Sequence, residues 1–267
     1  MEKLGIIAGA GELPVLLAQA AIEQGRTPFV IQVTKTPSEH LSRIAPETHA
    51  YGVGQLQKMK RTLLDSGVRE VALIGKVHKG ILLRPLQVDR VAAKILTTTR
   101  QKGAVAIVSA IIDYLESNGL RVIEQHHFLQ HLLPSPGVLT EKQPTESQWT
   151  DLKYAIHLAR QIADLNIGQT VVVKDGIPLA IEAIEDTNEA IRRGGRLGNK
   201  GVVVGKAASA SHDFRVDVPT VGTETLTVLH EARASALAIE ANRTFILDRT
   251  ELCRQADRWK ICIVAVA

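Results

Sequence analysis

Leu4-Gly5-Ile6-Ile7-Ala8-Gly9-Ala10-Gly11-Glu12-Leu13-Pro14 decides the fold of the first half of this chain. Leu4 to Ala8 is a short apolar run with the length of a buried strand. Gly9 to Pro14 is a tight turn, and a helix follows from about Pro14 to Gln24, with Gly25 as its stop. Pro28 to Val33 is a second apolar run. Strand, helix and strand in this order predict a parallel βαβ unit, because parallel neighbours need a crossover. Gly9-x-Gly11 looks like the start of a dinucleotide-binding turn. However, proline stands at position 14 in place of the third glycine, and no acidic residue ends the second run. A nicotinamide cofactor is therefore the weaker alternative. The glycines still let a phosphate or sugar approach the backbone near a helix N-terminus.

Two further turns repeat the theme. Gly52-Val53-Gly54-Gln55 precedes a helix over about Leu56 to Asp65, and the strand Glu70 to Ile74 ends in Gly75-Lys76. In an open α/β sheet, ligands sit beyond the carboxyl ends of strands. Gly9, Gly11, Glu12, Gly54, Gln55 and Lys76 are therefore candidate ligand contacts. Helices over Val88 to Thr98 and Val105 to Asn118 and a strand over Leu120 to Glu124 complete an N-terminal Rossmann-like parallel sheet, residues 1–134. His126, His127 and His131 lack a carboxylate or cysteine at metal-site spacing and are read as structural. Pro134 to Pro144 carries several breakers and reads as a linker.

The second half, residues 145–267, reads as a mixed α/β domain. A helix over Gln148 to Asp164 leads into the strand Thr170 to Lys174. Asp175-Gly176 is a type I′ hairpin signal, and a strand returns from Ile177. Glu182 and Glu185 stand near its end, and Thr187 is a candidate N-cap for the next helix. The strand Gly201 to Lys206 is followed by His212-Asp213-Phe214-Arg215-Val216-Asp217-Val218-Pro219-Thr220-Val221-Gly222. In an extended segment alternate residues share a face, so Asp213, Arg215 and Asp217 are expected to point the same way. Paired carboxylates can hold a hard divalent cation or activate a water, and an arginine fork matches a phosphate. Asp213 and Asp217, with Glu182, are the candidate metal ligands; Thr187 and Thr220 are candidate substrate contacts. The competing reading is a surface strand with an ordinary ion pair.

Composition narrows the classes. The chain has 267 residues, 45% of them hydrophobic and only 3% aromatic. Ala, Val, Ile and Leu supply the core, which suits packed helices and parallel strands. Too few aromatics are present for a base-stacking platform, so no nucleic-acid partner is expected. A net charge of +4 and a pI near 9.1 suit an anionic substrate or an anionic membrane surface. Two cysteines without metal-site company point to a reduced, cytoplasmic setting. No signal-peptide pattern opens the chain, and no apolar stretch reaches the roughly 18 residues of a membrane span, so membrane contact would be peripheral.

Taken in order, several phrases resemble the LpxI family of UDP-2,3-diacylglucosamine pyrophosphatases. They are Gly5 to Pro14, Gly54-Gln55, Gly137-Val138-Leu139, Asp164 to Gly176, Ala180 to Ile191, and Asp213 to Gly222. The most specific is Arg215-x-Asp217-x-Pro219-Thr220-x-Gly222. The resemblance implies a two-domain α/β protein that uses Mg2+ and cleaves UDP-diacylglucosamine to UMP and lipid X, with attack at the sugar-side phosphorus. It implies work at the cytoplasmic face of the inner membrane and leaves a homodimer open. It puts Asp217 first among catalytic candidates, with Asp213 and Arg215 beside it. The chain departs from the family pattern in three places. Gly103-Ala104-Val105 stands for a Gly-Asp-Asp phrase, Asn188 for an aspartate, and Ala208 to Asp213 for a Lys-Pro-x-Gln-Asp approach. A non-catalytic nucleotide-sugar or lipid binder is therefore the second reading.

Overall fold

The computed structural model describes residues 2–34, 36–77, 88–99 and 103–267; the side chain of Ala104 lies outside that description. The fold is α/β and forms two compact units. The first is Met1–Leu129 with Asp213–Asp217, and the second is Gln130–His212 with Val218–Ala267. Five residues that the sequence reading kept in the C-terminal half thus group with the first unit.

In the first unit, β1 (Lys3–Ala8), β2 (Thr27–Gln32), β3 (Thr48–Ala50), β4 (Glu70–Ile74) and β5 (Arg121–Val122) form one sheet in the order β3-β2-β1-β4-β5. Every pairing is parallel. Helix α1 (Leu13–Glu23) starts with Pro14 in its first turn, where a missing N–H costs nothing, and buries Leu17, Ala18 and Ala21. Ile7, Phe29, Ile31 and Val71 join a core with Met59 and Leu63 of α3 (Leu56–Asp65), Ile95 of α4 (Arg90–Thr99), and Ile112 and Leu115 of α5 (Gly103–Glu116). Strands β1, β2 and β4 read as largely apolar runs because the inner strands of a parallel sheet are covered on both faces. The short helix α2 (Glu39–Ile44) and edge strand β3 were not legible in the sequence.

The second unit has a six-stranded mixed sheet in the order β6-β13-β11-β9-β7-β8. Its strands are β6 (Gly137–Val138), β7 (Thr170–Lys174), β8 (Ile177–Ile181), β9 (Val203–Lys206), β11 (Ala236–Glu240) and β13 (Cys262–Val266). β9, β11 and β13 run parallel, and β6, β7 and β8 pair antiparallel. The strand period of two separates the faces. Val171 and Val173 pack under Leu152, Ala155 and Ala159 of α6 (Glu146–Asp164). Val172 turns to the other side, with residues of α7 (Thr187–Gly198), α8 (Thr223–Glu231) and α9 (Arg249–Arg258). Asp175 and Gly176 both have positive φ, as the hairpin signal requires, and the buried Asp151 carboxylate accepts both of their N–H groups at 2.8 Å. β10 (Thr220–Val221) and β12 (Phe245–Ile246) form a separate parallel pair.

Two sequence expectations are corrected here. The stretch Pro134–Pro144 is more than a linker, since β6 adds an edge to the sheet and the Leu139 N–H donates to the Ile263 carbonyl at 2.8 Å. Prolines belong at sheet edges, so breakers there were poor evidence against a strand. Residues 213–217 are not an extended strand. Val216 N–H donates to the Asp213 carbonyl at 2.9 Å, closing a turn. The Asp213 carboxylate accepts the Arg215 N–H at 2.9 Å, the local bond by which aspartate favours turns over strands.

Candidate active site

In the first unit, the strand order reverses between β1 and β4, and both leave loops at their carboxyl ends. The two loops hold each other through backbone. Gly9 N–H donates to the Ile74 carbonyl, and Ala10 and Lys76 exchange both bonds, all at 2.8 Å. A Cβ on Gly9 would lie 2.7 Å from the Gly75 carbonyl carbon and the Lys76 carbonyl oxygen. Glycine at 9 is therefore required by the neighbouring loop, whatever ligand comes near. Gly11 is different: its φ is +103° and a Cβ there would meet nothing within 4 Å. Glu12 stands at the N-cap of α1 without a side-chain capping bond. The Gly54 carbonyl accepts the Asp89 N–H at 2.9 Å, and the Gln55 side chain accepts the Gly52 N–H at 3.0 Å. Beside Gln55 lies an open cleft of about 540 Å³ lined also by Lys58, Lys60, Arg61 and Asp89. Lys76 is exposed.

The turn 213–217 belongs to this same unit. Arg215 Nη2 and Nε donate to Asp213 at 2.8 and 3.0 Å, and Nη1 donates to both Glu116 oxygens at 3.2 Å. Asp213, the first of these partners, raises the Arg215 pKa well above its ordinary value. Two carboxylates thus hold the fork that was expected to meet a phosphate. Gln125 fastens the turn from the other side, with its N–H on the Phe214 carbonyl at 3.1 Å and its Nε2 on the Val216 carbonyl at 3.3 Å. Phe214 meets His126 edge-on. Asp217 is the exposed member of the turn.

In the second unit, the structure brings together Glu182 and Thr187. Thr187 Oγ1 donates to Glu182 Oε1 at 3.0 Å and accepts from Lys206 Nζ at 3.0 Å. The other Glu182 oxygen accepts the Gln169 N–H at 3.3 Å. Lys206, at the end of β9, is only 8% exposed. Thr187 is not the N-cap. That position is Asp186, at φ 80°, whose carboxylate accepts the Asn188 and Glu189 N–H groups at 2.9 and 3.3 Å. The Asp186 carboxylate takes the cap and leaves the Thr187 hydroxyl to bridge. Asn188 Nδ2 donates to Glu224 at 2.8 Å. Thr220 turns its hydroxyl onto the Val218 carbonyl at 2.9 Å.

Sequence reasoning missed Glu116 and Lys206. Nothing local marks Glu116, which lies far from Arg215 in sequence, but Lys206 ends a strand where ligand-facing residues are expected. The candidate metal ligands divide between the units, with Asp213 and Asp217 in the first and Glu182 in the second. Among the described residues no group of three His, Cys, Asp or Glu side chains comes together to hold a metal ion. Both Asp213 oxygens face Arg215 and both Glu182 oxygens accept protein donors. The donor chemistry still suits a hard cation at Asp217, because magnesium is commonly held by one or two carboxylates and the substrate's own phosphates. No helix among the described residues is long and apolar enough to cross a membrane.

Comparison with known proteins covers both halves. The family model for the LpxI N-terminal domain matches residues 3–132, and that for the LpxI C-terminal domain matches residues 135–264. A relative from Caulobacter vibrioides, named UDP-2,3-diacylglucosamine pyrophosphatase LpxI, is 29% identical over 277 residues, covering 100% of this chain and 98% of its own. Two solved structures are less similar. The N5-carboxyaminoimidazole ribonucleotide synthetase of Thermotoga maritima aligns at 15% identity and a TM-score of 0.29, over 71% of this chain and 43% of that one. The biotin carboxylase domain of a thermophilic 2-oxoglutarate carboxylase aligns at 13% and 0.30, over 64% and 35%. These two likenesses are too slight to carry an argument.

Proposed function

This chain belongs to the LpxI family, and from that premise we propose that it hydrolyses the pyrophosphate bond of UDP-2,3-diacylglucosamine, giving UMP and lipid X for lipid A synthesis. One observation carries the reading. The relationship runs through both halves of the chain, so the phrase Arg215-x-Asp217-x-Pro219-Thr220-x-Gly222 sits in a family-wide context rather than standing alone.

In this proposal Asp217 is the catalytic carboxylate. Exposed at the end of a braced turn, it can accept a hydrogen bond from the attacking water and fix its approach to the sugar-side phosphorus. Arg215, held by Asp213 and Glu116, braces that turn. Gly11 offers open space for a phosphate or sugar to approach the backbone. Mg2+ would supply charge neutralisation of the pyrophosphate, with Asp217 as the side chain that holds it. The acyl chains of such a substrate make peripheral contact with the cytoplasmic membrane face part of the proposal.

The test is UMP release from UDP-2,3-diacylglucosamine across a magnesium series, for wild type and Asp217→Asn. The reading requires turnover by wild type that rises with magnesium and is lost in the variant. Tight binding without UMP release at any magnesium concentration would establish instead the second reading, a non-catalytic binder. One observation favours that reading: Asn188, where the resemblance leads to an expected aspartate, donates its amide to Glu224.

A further inference from the structure

The turn that carries Asp217 leaves the second unit at His212 and returns to it at Val218. Both ends of this excursion are held within the second unit by one short segment, Glu240 to Leu247. At the exit, the Glu240 carboxylate accepts the Ala208 N–H at 2.7 Å. Arg243 Nη2 donates to the next carbonyl, that of Ser209, at 2.6 Å. At the return, the Phe245 N–H donates to the Pro219 carbonyl at 2.8 Å and the Leu247 N–H to the Val221 carbonyl at 2.9 Å. These last bonds belong to the β10–β12 pair.

Glu240 is a charged group at the end of a central strand and only 4% exposed. A buried carboxylate is costly unless it is paired and hydrogen-bonded. Here Arg160 Nε donates to it at 2.7 Å and Arg243 Nε lies 3.5 Å away. The neighbouring Ala210 N–H is held separately by Asp164 at 2.7 Å. Three consecutive residues leaving β9 are therefore fixed by three different charged side chains.

We propose that Glu240 and Arg243 are positioning residues of the proposed reaction. They form a buckle that fixes where the chain departs and returns, and so limits the positions open to Asp217. The catalytic half of this statement rests on the function proposed above; the mechanical half does not.

Hydrogen exchange and steady-state kinetics on the full chain test both halves, using wild type, Arg243→Ala, Arg243→Lys and Glu240→Gln. Arg243→Ala should speed exchange in peptides spanning 213–217 while β9 and β11 stay protected. It should lower kcat for UMP release by about 10- to 100-fold at nearly constant KM, as misplacement of a reacting group does. Arg243→Lys, which keeps a cationic donor, should recover part of both. If Arg243→Ala loses protection throughout, Arg243→Lys and Glu240→Gln carry the same comparison in a folded chain. Unchanged exchange at 213–217, or an unchanged kcat, would overturn the proposal. A wild type that releases no UMP would sink the proposed function, and the exchange data alone would then decide the buckle.

Discussion

The glycine loops of the first unit and the Glu182–Thr187–Lys206 relay of the second are built in opposite ways. At Gly9 and Gly75 the backbone does the holding, and side chains are excluded because two chains approach too closely for a Cβ. At Thr187 the side chains do the holding, and one hydroxyl links a carboxylate to a buried ammonium. The turn 213–217 combines the two, with a backbone turn closed by Asp213 and a guanidinium spread across two carboxylates. The contrast separates two meanings of a glycine-rich turn. Gly9 answers to its neighbouring loop, whereas Gly11 faces open space and is the better candidate for contact with a ligand.

The largest expected effect sets chemistry apart from both kinds of scaffold. Asp217→Asn should reduce UMP release on the order of 10³-fold, about 4 kcal/mol of barrier, with an unchanged melting temperature. Near wild-type turnover would remove Asp217 from the mechanism. Gly9→Ala should reverse the pattern. A methyl pressed against backbone has nowhere to go, so stability should fall by about 1–3 kcal/mol in urea unfolding. A neutral result would show that the loops part easily and that their pairing is incidental.

Thr187→Val probes the relay. It keeps the shape and removes the hydroxyl from two charged partners, so a loss of about 1–2 kcal/mol is expected, largely restored by Thr187→Ser. Equal stability of Val and Ser variants would mean that the side chains around position 187 satisfy one another without it. The smallest effect belongs to Asn188→Asp. A second carboxylate would face Glu224 in place of an amide donor, costing about 0.5 kcal/mol at this exposed site. Adding Glu224→Gln should cancel the loss in a double-mutant cycle. If Asn188→Asp instead raises turnover at low magnesium, the position helps hold the cation and the Glu224 bond is secondary.

The fold was legible where pattern and local chemistry agree. Leu4 to Ala8 reads as a strand because both faces are covered, and Asp175-Gly176 reads as a hairpin because both residues tolerate positive φ. The turn 213–217 was misread for a definite reason. Alternating Asp-x-Arg-x-Asp imitates a strand, but aspartate bonds its own backbone two residues on, and that local bond wins. Thr187 was misplaced by one residue because Asp186 competes for the same cap. Glu116 was out of reach, since its pairing with Arg215 is a product of the folded first unit. The candidate site was therefore marked by its most specific phrase, whereas the residues that brace it were not.

The discontinuity of the first unit has a consequence for synthesis on the ribosome. Its sheet and helices are complete once Leu129 has emerged, yet Arg215, which bonds Glu116, and the carbonyls that Gln125 bonds arrive only with Asp213–Asp217. At roughly ten residues per second the wait lasts several seconds. Through that wait Arg215 is not yet there to meet Glu116, and the first unit gains its candidate catalytic carboxylate only after most of the second unit has been made. An N-terminal fragment ending at Leu129 would stay in that unfinished state permanently.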